Sequence, residues 1–325
     1  MVPFSLQKAA GVADAISAGA AGGRYIAGGT TLVDLMREEV EQPGRLIDIN
    51  ALPLKRIHVE GDDLVIGALV TMSECAAHSD VRRLQPVISE SLLEGASPQL
   101  RNLATMGGNL LQRTRCPYFR MRDAGCNKRT PNSGCSAIDG HHGNHALLGT
   151  SSHCLATHAS DVAVALVALD ATMHVLGPNG ERSFPVEDLF RLPGTTPHLE
   201  HTLLPGELII SIHVPVGTHA RKARYLKVRD RSSYEFAVVS AAAAIDIEKD
   251  VIRSVRIACG GVGTKPWRMR DTEKALIGRP ADRASFEQAA RLSLNGAQPR
   301  AGNAFKMELM PATIVRALEL ARDVA

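Results

Sequence analysis

Four of the chain's six cysteines, Cys116, Cys126, Cys135 and Cys154, fall within 39 residues, in a segment that no core-forming pattern organises. From about 114 to 145 the sequence is rich in Gly, Asn, Ser, Cys and His and shows little apolar periodicity. A loop that long must be held by something other than apolar burial, because ordering it costs backbone entropy. The spacing C-x9-C-x8-C-x18-C lacks the CxxC pairs of common zinc modules and of bacterial ferredoxin runs. Four thiolates still complete either a zinc or an iron–sulfur site, and spacing leaves the two level. Free cysteine is usually a buried small hydrophobe, so four unrelated thiols in polar sequence are the weaker reading. The opening MVPFSLQKAAGVADAISAGA has neither a basic n-region nor an unbroken apolar run, so no secretory signal is read there. In a reducing compartment clustered cysteines point to metal or redox chemistry before disulfides. Cys75 and Cys259 lie in apolar helix and strand patterns and receive no role. His141, His142, His145, His153 and His158 are read as hydrogen-bonded loop residues.

The flanks are ordinary globular sequence. Phe4, Ala9, Val12 and Ile16 suggest a first amphipathic helix. A strand at Arg24–Ala27, a helix from Leu32 and a strand at Arg45–Ile49 make a βαβ unit. Gly61-Asp62-Asp63 joins two short strands as a hairpin, and helices follow at Ser73–His78 and Val81–Leu93. After the loop come a helix from Asp161 and strands at Thr172–Val175, Leu208–Val214, Arg224–Arg229, Ala237–Ile247 and Ser254–Gly260. Helices near Asp271–Ile277, Ser285–Leu294 and Ala312–Ala325 close the chain. A boundary near 215–222 divides an α/β first part from an α+β second. Charge is near balance, with 37 Lys and Arg against 34 Asp and Glu, which disfavours a dedicated nucleic-acid binder. No apolar run reaches the ~18 residues a membrane helix needs. Yet Arg101, Arg113, Arg115, Arg120, Arg122, Lys128 and Arg129 face only Asp123 between 101 and 135, a local basic stretch in which Arg113, Arg115, Lys128 and Arg129 are expected to lower thiolate pKa values.

Two double glycines carry the other signal. Ala27-Gly28-Gly29-Thr30-Thr31 lies between a strand and a helix start, where backbone N–H groups can approach an anion. It is not GxGxxG, so it is no dinucleotide fingerprint, and alone it reads better as a turn. Thr105-Met106-Gly107-Gly108-Asn109 repeats the arrangement. Two such loops could grip one pyrophosphate from opposite sides.

With both loops and the cysteine segment in view, the chain resembles the FAD-binding subunits of the xanthine dehydrogenase family of molybdenum hydroxylases. The pattern AGG[HNT][ST] stands at Ala27–Thr31 and [ST]-x-G-G-N at Thr105–Asn109, with Met106 where relatives often carry Ile, Val or Thr. The likeness is strongest to the flavin subunits of three-subunit periplasmic aldehyde oxidoreductases of bacteria. It runs through IAGGTTLVDLM (26–36), GASPQLRNLATMGGNLLQRTRCPYF (95–119), CLATHASDVAVAL (154–166), LLPGELI (203–209), KVRDRSSYEFAVVS (227–240) and GGVGTKPWR (260–268).

The resemblance implies an α+β chain: a vanillyl-alcohol-oxidase-like (PCMH-type) FAD domain of two α/β lobes over 1–215, then a CO dehydrogenase flavoprotein-like domain over 222–325. FAD would be held by Ile26, Ala27, Gly28, Gly29, Thr30, Thr31 and Leu32 and by Thr105, Gly107, Gly108 and Asn109, with Asp161 and Lys227 near the ribose or flavin. The loop of about 114–155 would carry a [4Fe-4S] cluster on Cys116, Cys126, Cys135 and Cys154. The implied partners are a large molybdopterin subunit and a small subunit with two [2Fe-2S] clusters, in a heterotrimer without nucleic acid or membrane insertion. The implied work is electron transfer during oxidation of an aldehyde to its acid, with no catalytic acid or base in this chain. The implied place is the periplasm, reached folded on a partner's signal, with the cytoplasm as alternative. Three other readings compete: a 4-hydroxybenzoyl-CoA reductase-like flavin subunit, a stand-alone flavin oxidase, and a zinc-stabilised binding module.

Overall fold

The structure is a computed structural model and describes residues 1–217 and 222–324. The described residues form three sheets. The first is parallel, built from β1 (Ser5–Lys8), β2 (Arg24–Ile26) and β3 (Arg45–Asp48) in the order β1-β3-β2. Helices Val12–Ala20 and Leu32–Arg37 make its crossovers. The expected βαβ unit is therefore present. The expected helix from Phe4 is not: Ser5–Lys8 pairs with Arg45–Asp48, and the helix starts only at Val12. Residues 5–8 find backbone partners along the β3 edge that a lone helical turn lacks, a tertiary gain that local spacing does not record.

The second sheet is antiparallel: β4 (Ile57–Glu60), β5 (Asp63–Gly67), β6 (Thr172–Gly177), β7 (Gly180–Pro185) and β8 (Leu208–Pro215), in the order β4-β5-β8-β6-β7. Gly61, at φ 59°, makes the expected hairpin between β4 and β5, in the left-handed region where glycine pays no steric penalty. Strand β7, GERSFP, escapes sequence reading because it is a mostly exposed edge with little apolar alternation. Pro86 splits the expected Val81–Leu93 helix into Ser79–Leu84 and Pro86–Glu94, since proline starts a helix well but cannot continue one.

The third sheet is antiparallel: β9 (Ala223–Val228), β10 (Val239–Glu248), β11 (Val251–Gly260) and β12 (Trp267–Arg268), in the order β12-β11-β10-β9. β10 reads VSAAAAIDIE, with both faces buried along its apolar run. Ala242 and Ala244 face the second sheet's core and the buried helix Asp161–Ala168, while Ala241, Ala243 and Ile245 face the C-terminal helices. Successive strand residues point to opposite faces, so a run of alanines lets elements pack closely on both sides. The last helix runs Lys306–Arg322 with Pro311 inside it, six residues before the expected start. The proline obscures the boundary in sequence, but burial of Met310, Ile314, Ala317, Leu318 and Ala321 against the sheet carries the helix through it. The boundary expected near 215–222 falls partly on residues 218–221, outside the described residues.

Candidate functional site

Where the parallel lobe, the antiparallel lobe and the C-terminal sheet meet lies a cleft of about 730 Å³. That is the size of a site that encloses a large organic cofactor. Ile26, Ala27, Gly28, Gly29, Thr30, Thr31 and Leu32 line it, as do Thr105, Gly107, Gly108, Asn109, Asp161 and Lys227. Every cofactor residue expected from sequence thus faces one space, although they span more than half the chain.

The first glycine loop is a backbone cradle. Among the described residues, the N–H groups of Gly28, Gly29, Thr30 and Thr31 find no acceptor within the chain. Gly29 sits at φ 68°, and a Cβ on Gly28 would fall 1.8 Å from the Leu103 carbonyl oxygen. Both glycines are dictated by geometry: one by the turn, one by close approach of the neighbouring lobe. Successive free N–H groups in such a turn are an anion nest. This donor set fits the pyrophosphate of FAD.

The second loop is built differently. Gly107 N–H donates to Ala68 O at 2.9 Å, and Gly108 N–H to Thr105 Oγ1 at 3.3 Å. Asn109 is held through its amide oxygen by Ser160 Oγ at 2.5 Å and lies 3.3 Å from the Met72 sulfur. Its amides are mostly spent on the protein, so it forms a wall rather than a second nest. Gly107 allows that wall to close on Ala68, since a Cβ there would come within 3.2 Å of the alanine methyl.

Asp161 and Lys227 form a buried pair at 2.9 Å. Tyr225 OH donates to Asp161 at 2.6 Å, and Lys227 also donates to Glu94 O at 3.0 Å. Burial pushes the Asp161 carboxyl above its ordinary value, while Lys227 and the tyrosine hydroxyl hold it back. The pair ties the start of helix Asp161–Ala168 to β9 and fixes one wall of the cleft.

Sequence reasoning missed other lining residues: Arg113, Arg115, Leu204, Arg231, Tyr234 and Phe236. The segments LLPGELI and KVRDRSSYEF held the signal, but without chemistry that spacing could assign. Tyr25 OH, donating to Gly206 O at 2.9 Å, brings the first of them to the cleft. Arg115 stacks over the Phe236 ring at 4.9 Å.

The four clustered cysteines are all free thiols, and all four line one small cavity beside the cleft. Cys126 and Cys135 are bridged backbone to backbone, and helix Pro117–Arg120 follows Cys116. The Arg113–Cys116 stretch is the partition: Arg113 and Arg115 face the cleft, Thr114 and Cys116 the cysteine cavity. Among the described residues, no three His, Cys, Asp or Glu side chains are gathered to hold a single metal ion. Four thiols on one cavity supply the soft donors that zinc and iron–sulfur sites both use.

The basic stretch does not act as its composition suggested. Arg113 is bonded to Glu41 at 2.6 Å and to Glu200 at 3.0 Å, and Lys128 to Glu200 at 3.0 Å. Arg120 reaches Asp34 and Glu38, and Arg122 reaches Glu39 at 2.5 Å. Acids from distant segments neutralise it. At Cys116 and Cys154 the expected lowering of the thiol pKa is reversed, and the cause is burial. Burial pushes the Cys116 thiol up to about 12 and raises Cys154 as well, where Lys128 only partly opposes it. Cys75 and Cys259 are fully buried in core, away from this cavity.

A family model described as the FAD binding domain in molybdopterin dehydrogenase matches residues 2–217. A second, the CO dehydrogenase flavoprotein C-terminal domain, matches 224–321. The chain is 47% identical over 307 residues to the FAD-binding subunit of aldehyde oxidoreductase of Escherichia coli (strain K12), covering 94% of this chain and 93% of that one. It is 28% identical over 257 residues to the glyceraldehyde dehydrogenase medium chain of Sulfolobus acidocaldarius, covering 79% and 74%. A chain of the Cu,Mo-CO dehydrogenase crystal structure superposes with a TM-score of 0.78 at 22% identity over 100% of both chains. A chain of quinoline 2-oxidoreductase from Pseudomonas putida 86 gives 0.77 at 22% identity, covering 99% and 98%. The chain belongs to the FAD-binding medium subunits of the molybdenum hydroxylase family: it is an oxidoreductase subunit that binds FAD.

Proposed function

We propose that this chain is the FAD- and [4Fe-4S]-carrying electron-transfer subunit of a molybdenum-dependent aldehyde oxidoreductase. It works between [2Fe-2S] clusters on a small partner and an external acceptor, while a large molybdopterin subunit oxidises the aldehyde. The observation that carries the cluster is the convergence of Cys116, Cys126, Cys135 and Cys154 on one cavity one backbone width from the flavin cleft. The family match itself speaks for flavin alone. Identity of 47% over nearly the whole chain favours the aldehyde oxidoreductase branch over a 4-hydroxybenzoyl-CoA reductase. The same reading puts the heterotrimer in the periplasm, exported folded with a signal-bearing partner.

When bound, FAD supplies the redox chemistry. The chain's residues bind and orient it. Gly28, Gly29, Thr30 and Thr31 present N–H groups to the pyrophosphate. Asp161 and Lys227, locked against each other, offer a fixed polar edge that does not reorganise. Arg113 and Arg115 close the side toward the cysteine cavity, where the four thiolates hold the cluster.

The test is composition and dependence on partners. The native assembly should contain stoichiometric FAD and, beyond the small subunit's clusters, about four iron and four sulfide in this chain. Aldehyde should bleach the flavin only when both partners are present. Zinc in place of iron would return the chain to a metal-stabilised binding module, and aldehyde oxidation by this chain alone would make it a free-standing oxidase.

A further inference from the structure

His145 lies within the cysteine loop, against Cys116, one of the residues that line the cysteine cavity. It is 3% exposed, and its Nε2 lies 3.1 Å from Cys116 Sγ. Its Nδ1 is buried without any partner. That asymmetry assigns the tautomer. If Nε2 were the acceptor, Nδ1 would be a buried N–H with nowhere to donate, the costlier of the two orphan states. The proton therefore belongs on Nε2 and points at the sulfur.

The imidazole is held in place by its own backbone. Its carbonyl accepts from Lys306 Nζ at 3.1 Å and from Asn303 Nδ2 at 3.3 Å. Lys306, itself fully buried, also donates to Gly261 O at 2.7 Å. Lys306, at the start of helix Lys306–Arg322, and Asn303 just before it thus anchor the backbone of His145 beside Cys116. The backbone N–H groups of Phe119 and Tyr118 also point at the Cys116 sulfur. No other cysteine of the four receives a side-chain donor among the described residues.

We infer that His145 is a positioning residue for the cluster: its Nε2–H donates to the Cys116 thiolate and raises the cluster's reduction potential. The inference rests on the cluster reading above. A donor to a ligating sulfur stabilises the reduced, more negative state more than the oxidised one, so hydrogen bonds to sulfur are among the levers that set such potentials. Leucine at this position removes the donor; glutamine replaces it, since its amide nitrogen reaches about as far as Nε2.

The experiment is a mediated redox titration of the assembled complex, followed by electron paramagnetic resonance, on wild type, His145→Leu and His145→Gln. His145→Leu should shift the one-electron equilibrium about tenfold toward the oxidised cluster, equivalent to about 59 mV lower. His145→Gln should restore at least half of that shift. A potential in His145→Leu equal to wild type overturns the inference while leaving the cluster standing. Absence of the cluster from wild type overturns both readings. If His145→Leu retains no cluster, the decision passes to pulsed resonance on wild type labelled with nitrogen-15 histidine. A weak coupling transferred through sulfur supports the donor role. A strong coupling of direct ligation, or none, overturns it.

Discussion

At the scale of single residues, the groups that decide behaviour are those whose surroundings oppose their charge. His158 packs edge-on to Phe190 at a centroid distance of 4.5 Å, and burial lowers its pKa to about 4. Its unfolded value lies near 6.5. The folded state disfavours the proton, so the neutral ring's contribution is complete above pH 6.5 and is lost as pH falls toward 4. The loss reaches about 3 kcal/mol. Urea titrations at pH 7 and pH 4.5 should show a steeper loss in wild type than in His158→Leu; equal losses would remove this residue from the acid response. The glycines, by contrast, were readable in sequence. Gly28 and Gly29 sit between a strand and a helix start, and although alone they read as a turn, the second double glycine at Gly107-Gly108 gave them their meaning. Asp161 and Lys227 were not readable as a pair. They lie 66 residues apart, and only the packing of the third sheet on helix Asp161–Ala168 makes them partners.

At the scale of elements, the cysteine loop shows how a segment without a core is held. The Arg129 guanidinium donates to the carbonyls of Tyr118 and Phe119 at 2.9 Å, Met121 at 2.7 Å, Arg122 at 3.0 Å and Ala124. One rigid fork thus satisfies five carbonyls that no helix or ladder pairs. Arg129→Ala should cost about 3 kcal/mol or more, because each lost bond to a charged donor is worth about 1.5–3 kcal/mol before solvent compensates. Arg129→Lys should fail to rescue it, since an ammonium cannot present that planar geometry. Limited trypsin digestion between Arg120 and Lys128, read with iron content, is the measurement. Cleavage and iron at wild-type levels in the alanine variant would mean the loop is held some other way. Composition had placed Arg129 in a basic patch. Its partners are carbonyls nearby in sequence, invisible to charge counting.

At the scale of the whole molecule, the cleft exists because three sheets meet, and at Gly28 the first glycine loop lies hard against the Leu103 backbone. A methyl there would collide with the Leu103 carbonyl, which belongs to the other lobe. Gly28→Ala should therefore separate the lobes locally and weaken FAD binding at least tenfold, measured as flavin retained through gel filtration of the assembled complex. Retention equal to wild type would show that the lobes can yield there without cost. The two units also share a core. Ala242, Ala244 and Ala258 of the third sheet pack with Val162, Val164 and Leu166 of the buried helix. That continuity carries β9, with Lys227, into the flavin cleft, and helix Lys306–Arg322 up to His145.

By itself the sequence determined what depends on local chemistry: the βαβ unit, the hairpin at Gly61, the glycine cradle, the four thiols, and through their combination the family. Backbone conformation and donor type are set within a few residues, so they can be read from a few residues. Tertiary structure alone decided the rest. It turned residues 5–8 into a strand and neutralised the basic stretch with Glu41 and Glu200. It raised the Cys116 and Cys154 thiols that charge was expected to lower, and it set His145 beside Cys116. Each of these depends on burial and on partners far away in the chain, and desolvation by distant segments leaves no mark on local sequence.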